Sequence, residues 1–146
     1  MKILLALDDS KFSEATVDAL TAQVRHEGTS VHVLHVLEMV AFVPTMDNAA
    51  NLSPDFFAMR QEALAGAKEL VERAASKLRS SGFTATFAVE EGDPKDRIVE
   101  AAEKFGADLI MLGSHGRKGL QRFLMGSVSE AVARRAHCSV QIVRVK

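Results

Sequence analysis

The sequence predicts an α/β protein built on a doubly wound, five-stranded parallel sheet with helices on both faces. Strand-like apolar runs and helix-like segments alternate strictly along the 146 residues, beginning and ending with a strand. Runs that are continuously apolar are typical of strands covered on both faces. With 47% hydrophobic residues the chain can bury a core, so we expect a single domain over residues 1–146.

Five short segments rich in branched apolar residues are the predicted strands. They are Ile3–Leu7, Val31–Leu37, Phe83–Glu90, Asp108–Leu112 and Ser139–Val145. The residues 38–51 have no clean period and contain proline, aspartate and asparagine, so we expect a loop there. In a sheet of this kind ligands bind beyond the carboxyl ends of the strands, where the winding reverses.

Capping residues and glycines delimit four helices between these strands. The predicted limits are Lys11–His26 after a Ser10 cap, Pro54–Ser81 after Ser53, Pro94–Phe105 after Asp93, and a last helix starting at Ser127. Gly28, Gly82 and Gly106 are predicted to end the first three. Ser127 and Glu130 have the spacing of a capping box. The second helix is long enough for its first turns to extend beyond the domain.

Composition excludes several function classes. A net charge of −1 argues against binding to nucleic acids or membrane surfaces. Cys138 is the only cysteine, so no internal disulfide forms and a reducing compartment is expected. The apolar start of the chain is too short for a signal peptide or a membrane span, and we expect a soluble cytoplasmic protein.

The segment 113–127, GSHGRKGLQRFLMGS, does not resemble ordinary core. It holds four glycines, and residues 113–135 carry five basic residues against one acidic residue, a charge of +4 that leaves −5 for the remainder. Backbone N–H groups at a helix start bind phosphate well, and glycine lets that backbone approach closely. The segment therefore favours a small anionic ligand. Asp8 and Gly113 both follow predicted strands, and they would share one crevice if those strands are neighbours.

Two common phosphate-binding motifs are absent. A Walker A loop needs a glycine followed by Lys-Ser or Lys-Thr, and the chain has none. The dinucleotide fingerprint G-x-G-x-x-G should follow the first strand, where the sequence is Leu7-Asp-Asp-Ser10. The protein is thus expected to be neither an ordinary P-loop NTPase nor a dinucleotide-dependent dehydrogenase.

The spacing G-x2-G-x9-G-S, formed by Gly113, Gly116, Gly126 and Ser127, resembles the ATP-binding signature of the universal stress protein family. The segments ILLALDDSKFSEATVDAL, LHVLE and EGDPKDRIVEAA are similar to the family's first strand and helix, second strand and third helix. The resemblance covers essentially the whole chain. It implies the strand order 3-2-1-4-5 of adenine nucleotide alpha hydrolase-like folds.

The resemblance implies an adenine nucleotide as ligand, ATP or else ADP or AMP, with Mg²⁺ on its phosphates. Asp8 matches the family's acidic residue at the nucleotide, Val36 the position whose backbone meets the adenine, and Gly113 the position near the ribose and phosphates. The phosphate cradle would be Gly116, Gly126 and Ser127, with Arg117, Val128 and Ser129 lining the same segment. No cluster of ligating side chains in the sequence predicts a protein metal site.

The resemblance also implies a homodimer, in which the last strand, 139–145, pairs with its copy. The segment SVQIVRV has the branched, weakly charged character of a pairing edge. The chain departs from the family just before this strand, because His137 and Ser139 flank Cys138 where the family often has prolines. This difference concerns the entry to the strand and therefore the register of the dimer.

These observations favour a nucleotide-dependent regulatory or stress-survival module, a role that is compatible with an unidentified protein partner. The alternative is a slow ATPase or phosphoryl-transferring enzyme in the same pocket, for which the sequence offers only Asp8 and His115. A third interpretation keeps the fold without the nucleotide, and the complete glycine signature disfavours it. Asp8 has a structural alternative as a helix-start residue beside Ser10. His32 and His35 should lie on opposite faces of one strand and so share no metal.

Overall fold

The structure, a computed structural model, describes residues 1–10, 12–38, 54–114 and 125–144. Five strands and four helices alternate along it. The strands are β1 Lys2–Leu7, β2 Ser30–Leu37, β3 Thr84–Glu91, β4 Leu109–Gly113 and β5 Ser139–Val143. The helices are α1 Phe12–Gln23, α2 Pro54–Ser80, α3 Pro94–Phe105 and α4 Ser127–Arg135.

The strands form one parallel sheet in the order β3-β2-β1-β4-β5, which confirms the predicted fold and strand order. β1 is the central strand, and Ile3, Leu4 and Leu5 are fully buried. The chain winds outward from β1 to β3, returns to β4 beside β1, and then winds outward in the other direction to β5. The winding therefore reverses between β1 and β4.

Helices cover both faces of the sheet, and alternate residues of each strand feed two separate cores. Leu5 and Leu7 of β1 belong to the core under α1 and α2, together with Val71. Leu4 and Ala6 of β1 belong to the core under α3 and α4. This division explains why the strand sequences are continuously apolar, since both faces of the sheet are buried.

The helix boundaries largely follow the predicted signals. Asp93 caps α3 by accepting a hydrogen bond from the Lys95 N–H at 2.9 Å. Gly106 ends that helix at φ 67°, a left-handed conformation that glycine adopts without strain. Ser10 Oγ accepts from the Phe12 N–H at 3.3 Å, at the start of α1. Caps of this kind can be read from sequence because each involves only neighbouring residues.

The predicted end of α1 is wrong. The helix stops at Gln23, three residues before the predicted His26, and Gly28 lies in the turn that follows. Gly28 has φ 68°, and the Thr29 N–H donates to the His26 carbonyl in that turn. Gly28 therefore does lie in a turn, but that turn leads into β2 and does not end α1. The other described boundaries agree or shift by one residue, except that β5 ends at Val143 instead of the predicted Val145. Lys11, Ser53 and Val145 themselves lie outside the described residues.

The first half of α2 extends beyond the core, as its length predicted. No residue of 54–66 is buried, whereas Ala67, Val71, Ala74, Ala75 and Leu78 in the second half are. Arg60 ties this extension to the carboxyl end of β3, donating to both carboxylate oxygens of Glu91 at 2.7 and 2.9 Å. This partly exposed ion pair joins the extension to the sheet in a part of α2 where none of the helix residues is buried.

His32 and His35 lie on opposite faces of β2, as predicted. His32 sits near the amino end of the strand, where its Nδ1 lies 2.8 Å from Thr86 Oγ1 and its ring packs on Phe105. Burial lowers the pKa of His32 below its ordinary value, and the nearby Glu90 carboxylate partly opposes that change. His35 lies near the carboxyl end, buried against the α1 and α2 side.

Candidate functional site

Asp8 and Gly113 are placed at the same crevice by the direct pairing of β1 with β4. The register sets Ile3 opposite Leu109 and Ala6 opposite Leu112, so both strands end at the same edge of the sheet. This is the point where the winding reverses, which is the usual ligand position in such sheets. The structure thus confirms that the first and fourth strands are neighbours, the condition on which the predicted crevice depended.

Asp8 organises the start of α1. Its Oδ1 accepts hydrogen bonds from the Ser10 N–H at 3.1 Å, from the Ser10 hydroxyl, and from Ser13 Oγ at 3.1 Å. The structural alternative for Asp8 is therefore correct. Within the described part of the chain these bonds reach Oδ1 only. The side chain is half-exposed, which gives a ligand access to it.

The start of α4 differs from the predicted capping box. Gly126 is the N-cap, with extended φ −64° and ψ 148° and no side-chain cap, and Ser127 is the first helical residue. A capping box needs the serine at the N-cap, so the one-residue shift prevents it. Glu130 instead pairs with Arg134 at 2.9 Å, and the Glu130 N–H donates to the Gly126 carbonyl. The first turn thus presents backbone N–H groups without a side-chain cap, the arrangement that binds anions.

Two hydrogen bonds fix the start of α4 against the end of β4, and a third fixes that end of β4 against β5. The Gly126 N–H donates to the Ser114 carbonyl at 2.9 Å, and the Ser129 hydroxyl donates to the Gly113 carbonyl at 2.8 Å. The Ser114 N–H donates to the Val143 carbonyl of β5 at 2.8 Å. Ser114 and Ser129 are both buried. These bonds bring Gly113, Gly126 and the first turn of α4 together beside β1.

Val36 and Val128 are placed on the α3 and α4 side of the sheet. Val36 is the next-to-last residue of β2, and Val128 belongs to the first turn of α4. Both are partly buried against the core that includes Leu4 and Leu34. Gly116, Arg117 and His115 lie outside the described residues, as does nearly all of the predicted loop 38–51.

The described cations of the segment 113–135 lie at the far end of α4. Arg135 pairs with Asp96 at 2.7 Å, and Arg134 pairs with Glu130. Neither belongs to the first turn of the helix. In the described part of this segment, the group that can attract an anion at the crevice is therefore the amino terminus of α4 with its backbone N–H groups.

The described parts of the chain offer neither a group of metal-binding side chains nor a reactive thiol. No three His, Cys, Asp or Glu side chains there form a group that could hold a metal ion. Cys138 packs against the α3 and α4 core, and burial, with a smaller effect of Asp108, raises the pKa of its thiol. A thiol of this kind is a poor nucleophile.

Among the described residues, no helix has the length and apolarity needed to span a bilayer.

Sequence reasoning missed two polar residues next to Asp8. His35 was considered only as a metal ligand, and Ser13 was not singled out. Both are buried, at 3% and 4% exposure, and both hydrogen-bond to the backbone around Asp8. A histidine within an otherwise apolar strand was the available signal, since a buried polar group needs a partner.

The structure is that of an α/β protein with a crevice where the winding of its parallel sheet reverses. The family model of the Universal stress protein family matches residues 1–144, and the chain belongs to that family. The chain is 34% identical over 146 residues to the universal stress protein MJ0531 of Methanocaldococcus jannaschii, covering 98% of this chain and 81% of that one. It is 29% identical to the universal stress protein YxiE of Bacillus subtilis, covering 98% of both chains.

Solved structures share the fold. The hypothetical protein MJ0577 is 28% identical and superposes with a TM-score of 0.82, covering 99% of this chain and 96% of that one. A universal stress protein family member from Arabidopsis thaliana, solved with AMP bound, is 22% identical with a TM-score of 0.71, covering 100% and 92% of the two chains. A universal stress protein in complex with cAMP is 23% identical with a TM-score of 0.70, covering 100% and 98%.

The tether between α4 and β4 predicts different effects for two neighbouring serines. Ser129→Ala removes the hydroxyl that donates to the part-buried Gly113 carbonyl and should lower the free energy of unfolding by about 1–3 kcal/mol. Ser127→Ala is the matched control, because an exposed first-turn serine that caps nothing should cost at most ~0.5 kcal/mol. Urea denaturation of the two variants measures both values. A larger cost for Ser127→Ala than for Ser129→Ala would contradict this assignment of the helix start.

Proposed function

We propose that this protein binds an adenine nucleotide in the crevice between β1 and β4 and acts as a nucleotide-dependent regulatory module. The observation that carries the proposal is the start of α4. Because its N-cap is a glycine without a side-chain cap, the N–H groups of the first turn can bind an anion. Hydrogen bonds to the Gly113 and Ser114 carbonyls hold that turn near Asp8, where the winding of the sheet reverses. ATP is the expected ligand, with ADP and AMP as the alternatives.

The proposed contacts follow from the positions of the residues around the crevice. Gly126, Ser127 and the first turn of α4 would bind the phosphates, with Gly113 near the ribose. The backbone of Val36 would meet the adenine, since β2 ends beside β1. Val128 and Ser129 would support the phosphate-binding turn from the core side. Gly116 and Arg117 complete the proposed set from the sequence signature.

Nucleotide complexes of proteins with the same fold support the ligand class. Members of the family have been solved with AMP and with cAMP, and one from Archaeoglobus fulgidus with dAMP. Adenine is common to all three. We infer that the crevice of this protein takes the same base.

A regulatory role fits the crevice better than dedicated catalysis. Efficient phosphoryl transfer needs side chains that bind metal ions and a residue that orients the nucleophile. Among the described residues, Asp8 is the only acidic side chain that we assign to this crevice, and one of its oxygens is already occupied at the start of α1. A Mg²⁺ ion would therefore be held by phosphate oxygens and water, and the second oxygen of Asp8 is left to the nucleotide.

A homodimer through β5 is the proposed assembly. β5 is one edge of the sheet, and β3 is the other. The β3 edge is obstructed, because Arg79 donates from Nε and Nη2 to the Ala85 carbonyl at 2.9 and 2.7 Å. Pairing of segment 139–145 with its copy would use the remaining edge. Light scattering on the purified protein should give twice the chain mass, and a monomer at all concentrations would contradict the proposal.

Gly126→Val tests the phosphate site. The extended backbone at Gly126 accepts a branched residue, but the side chain would stand where phosphate should bind. We expect ATP affinity to fall at least about tenfold, equivalent to about 1.4 kcal/mol. Calorimetric titration with Mg-ATP measures the change. The matched control is Gly66→Val on the exposed side of α2, where an added Cβ meets no atom within 4 Å and affinity should stay unchanged.

The outcomes separate the candidate functions. Equal affinity of Gly126→Val and the unaltered protein would refute the phosphate site. Analysis of the nucleotide after overnight incubation then distinguishes a module from an enzyme. Recovery of intact ATP supports a regulatory module, whereas steady conversion to ADP that is lost in Asp8→Ala would establish slow hydrolysis.

A further inference from the structure

The peptide group that joins Leu7 to Asp8 is held at both ends by buried side chains. The Leu7 carbonyl accepts a hydrogen bond from His35 Nδ1 at 2.9 Å. The Asp8 N–H donates to Ser13 Oγ at 3.1 Å. His35 belongs to β2 and Ser13 to α1, so two different elements hold one peptide group. We call this pair of contacts the peptide clamp.

Asp8 needs such a clamp because the sheet does not hold it. The β1–β4 pairing ends at Ala6 and the β1–β2 pairing ends at Leu7. Asp8 is therefore the first residue beyond both ladders, where no strand pairing restrains the backbone. Its orientation depends on side chains of the surrounding elements.

The His35 side of the clamp has a defined direction. A carbonyl oxygen only accepts, so the hydrogen of this bond resides on Nδ1 of the imidazole. The ring is only 3% exposed, and β2 places it directly beside Leu7 in the register. The next residue of β2, Val36, is the proposed adenine contact. The pair Leu7 and His35 thus links β2, which contains the proposed adenine contact, to β1, which Asp8 follows.

The Ser13 side of the clamp also reaches the carboxylate. Besides accepting from the Asp8 N–H, the Ser13 hydroxyl bonds to the Asp8 carbonyl oxygen and lies 3.1 Å from Oδ1. The side chain is 4% exposed, which shields these contacts from water. Ser13 therefore restrains both the backbone and the rotamer of Asp8, and this holds the second carboxylate oxygen in one direction.

We propose that His35 and Ser13 are positioning residues, which orient Asp8 through the peptide clamp for binding the nucleotide. The inference rests on the proposed function, because it assigns the second oxygen of Asp8 to the ligand. Neither residue needs to touch the nucleotide. Loss of either contact frees the first residue beyond the sheet and weakens binding by spreading Asp8 over several orientations.

The test is a set of variants measured by calorimetric titration with Mg-ATP, with thermal unfolding recorded for each. His35→Leu should weaken binding about three- to tenfold, the range expected for one lost hydrogen bond, and Ser13→Ala by at least as much, because its hydroxyl makes more than one contact with Asp8. His35→Asn should recover most of the affinity, since its amide offers an N–H close to the position of Nδ1. In an Asp8→Ala background, neither His35→Leu nor Ser13→Ala should weaken binding further.

His32→Leu is the matched control for a general effect of altering β2. It removes a histidine from the same strand, on the opposite face and at the opposite end, and should leave ATP affinity unchanged. Equal loss in His32→Leu and His35→Leu would overturn the proposal, as would losses that persist in full in the Asp8→Ala background. If His35→Leu does not fold, Ser13→Ala decides in the same way.

The same titrations distinguish a failure of the peptide clamp from a failure of the proposed nucleotide binding. Wild-type protein that binds Mg-ATP, together with His35→Leu and Ser13→Ala variants that bind it equally well, overturns the peptide clamp alone. Wild-type protein that binds no adenine nucleotide overturns the proposed function and the inference together.

Discussion

The direct parallel pairing of β1 with β4 is the constraint on which the candidate site depends. With Ala6 opposite Leu112, the two strands leave the sheet at the same edge and bring Asp8 beside Gly113. Every other part of the site is attached to this pair of strand ends. α4 is tied to β4 through Gly113 and Ser114, and α1 is tied to β1 through Asp8. A sheet with β1 and β4 apart would separate these groups.

The proposed phosphate site relies on backbone groups more than on charged side chains. The glycine N-cap of α4 provides no side-chain cap, and the described arginines of its last turn are paired with Glu130 and Asp96. Backbone N–H groups recognise phosphate without distinguishing between nucleotides. Selection of the base must therefore come from elsewhere in the crevice, and the end of β2 at Val36 is the proposed source.

Much of the fold was predictable from the sequence because its signals are local. Continuous apolar runs identified the strands, and Asp93 and Gly106 marked a helix by contacts with adjacent residues. The strand order came from the family resemblance, since periodicity does not reveal which strands pair. The errors arose where a short motif had two possible placements, as at Ser127, or where helix propensity continued past Gln23. The role proposed for His35 depends on a contact between different strands, which no local pattern encodes.

The measurement that tests the central claim most directly is a titration of ¹⁵N-labelled protein with Mg-ATP, in which the backbone amide chemical shifts are recorded at each step. Binding in the crevice predicts the largest changes at Asp8, Gly113 and residues 126–129. It also predicts little change around the shallow groove of Arg25, His26 and Glu27, at the amino end of the sheet. Largest changes at that groove, or none anywhere at millimolar nucleotide, would contradict the account.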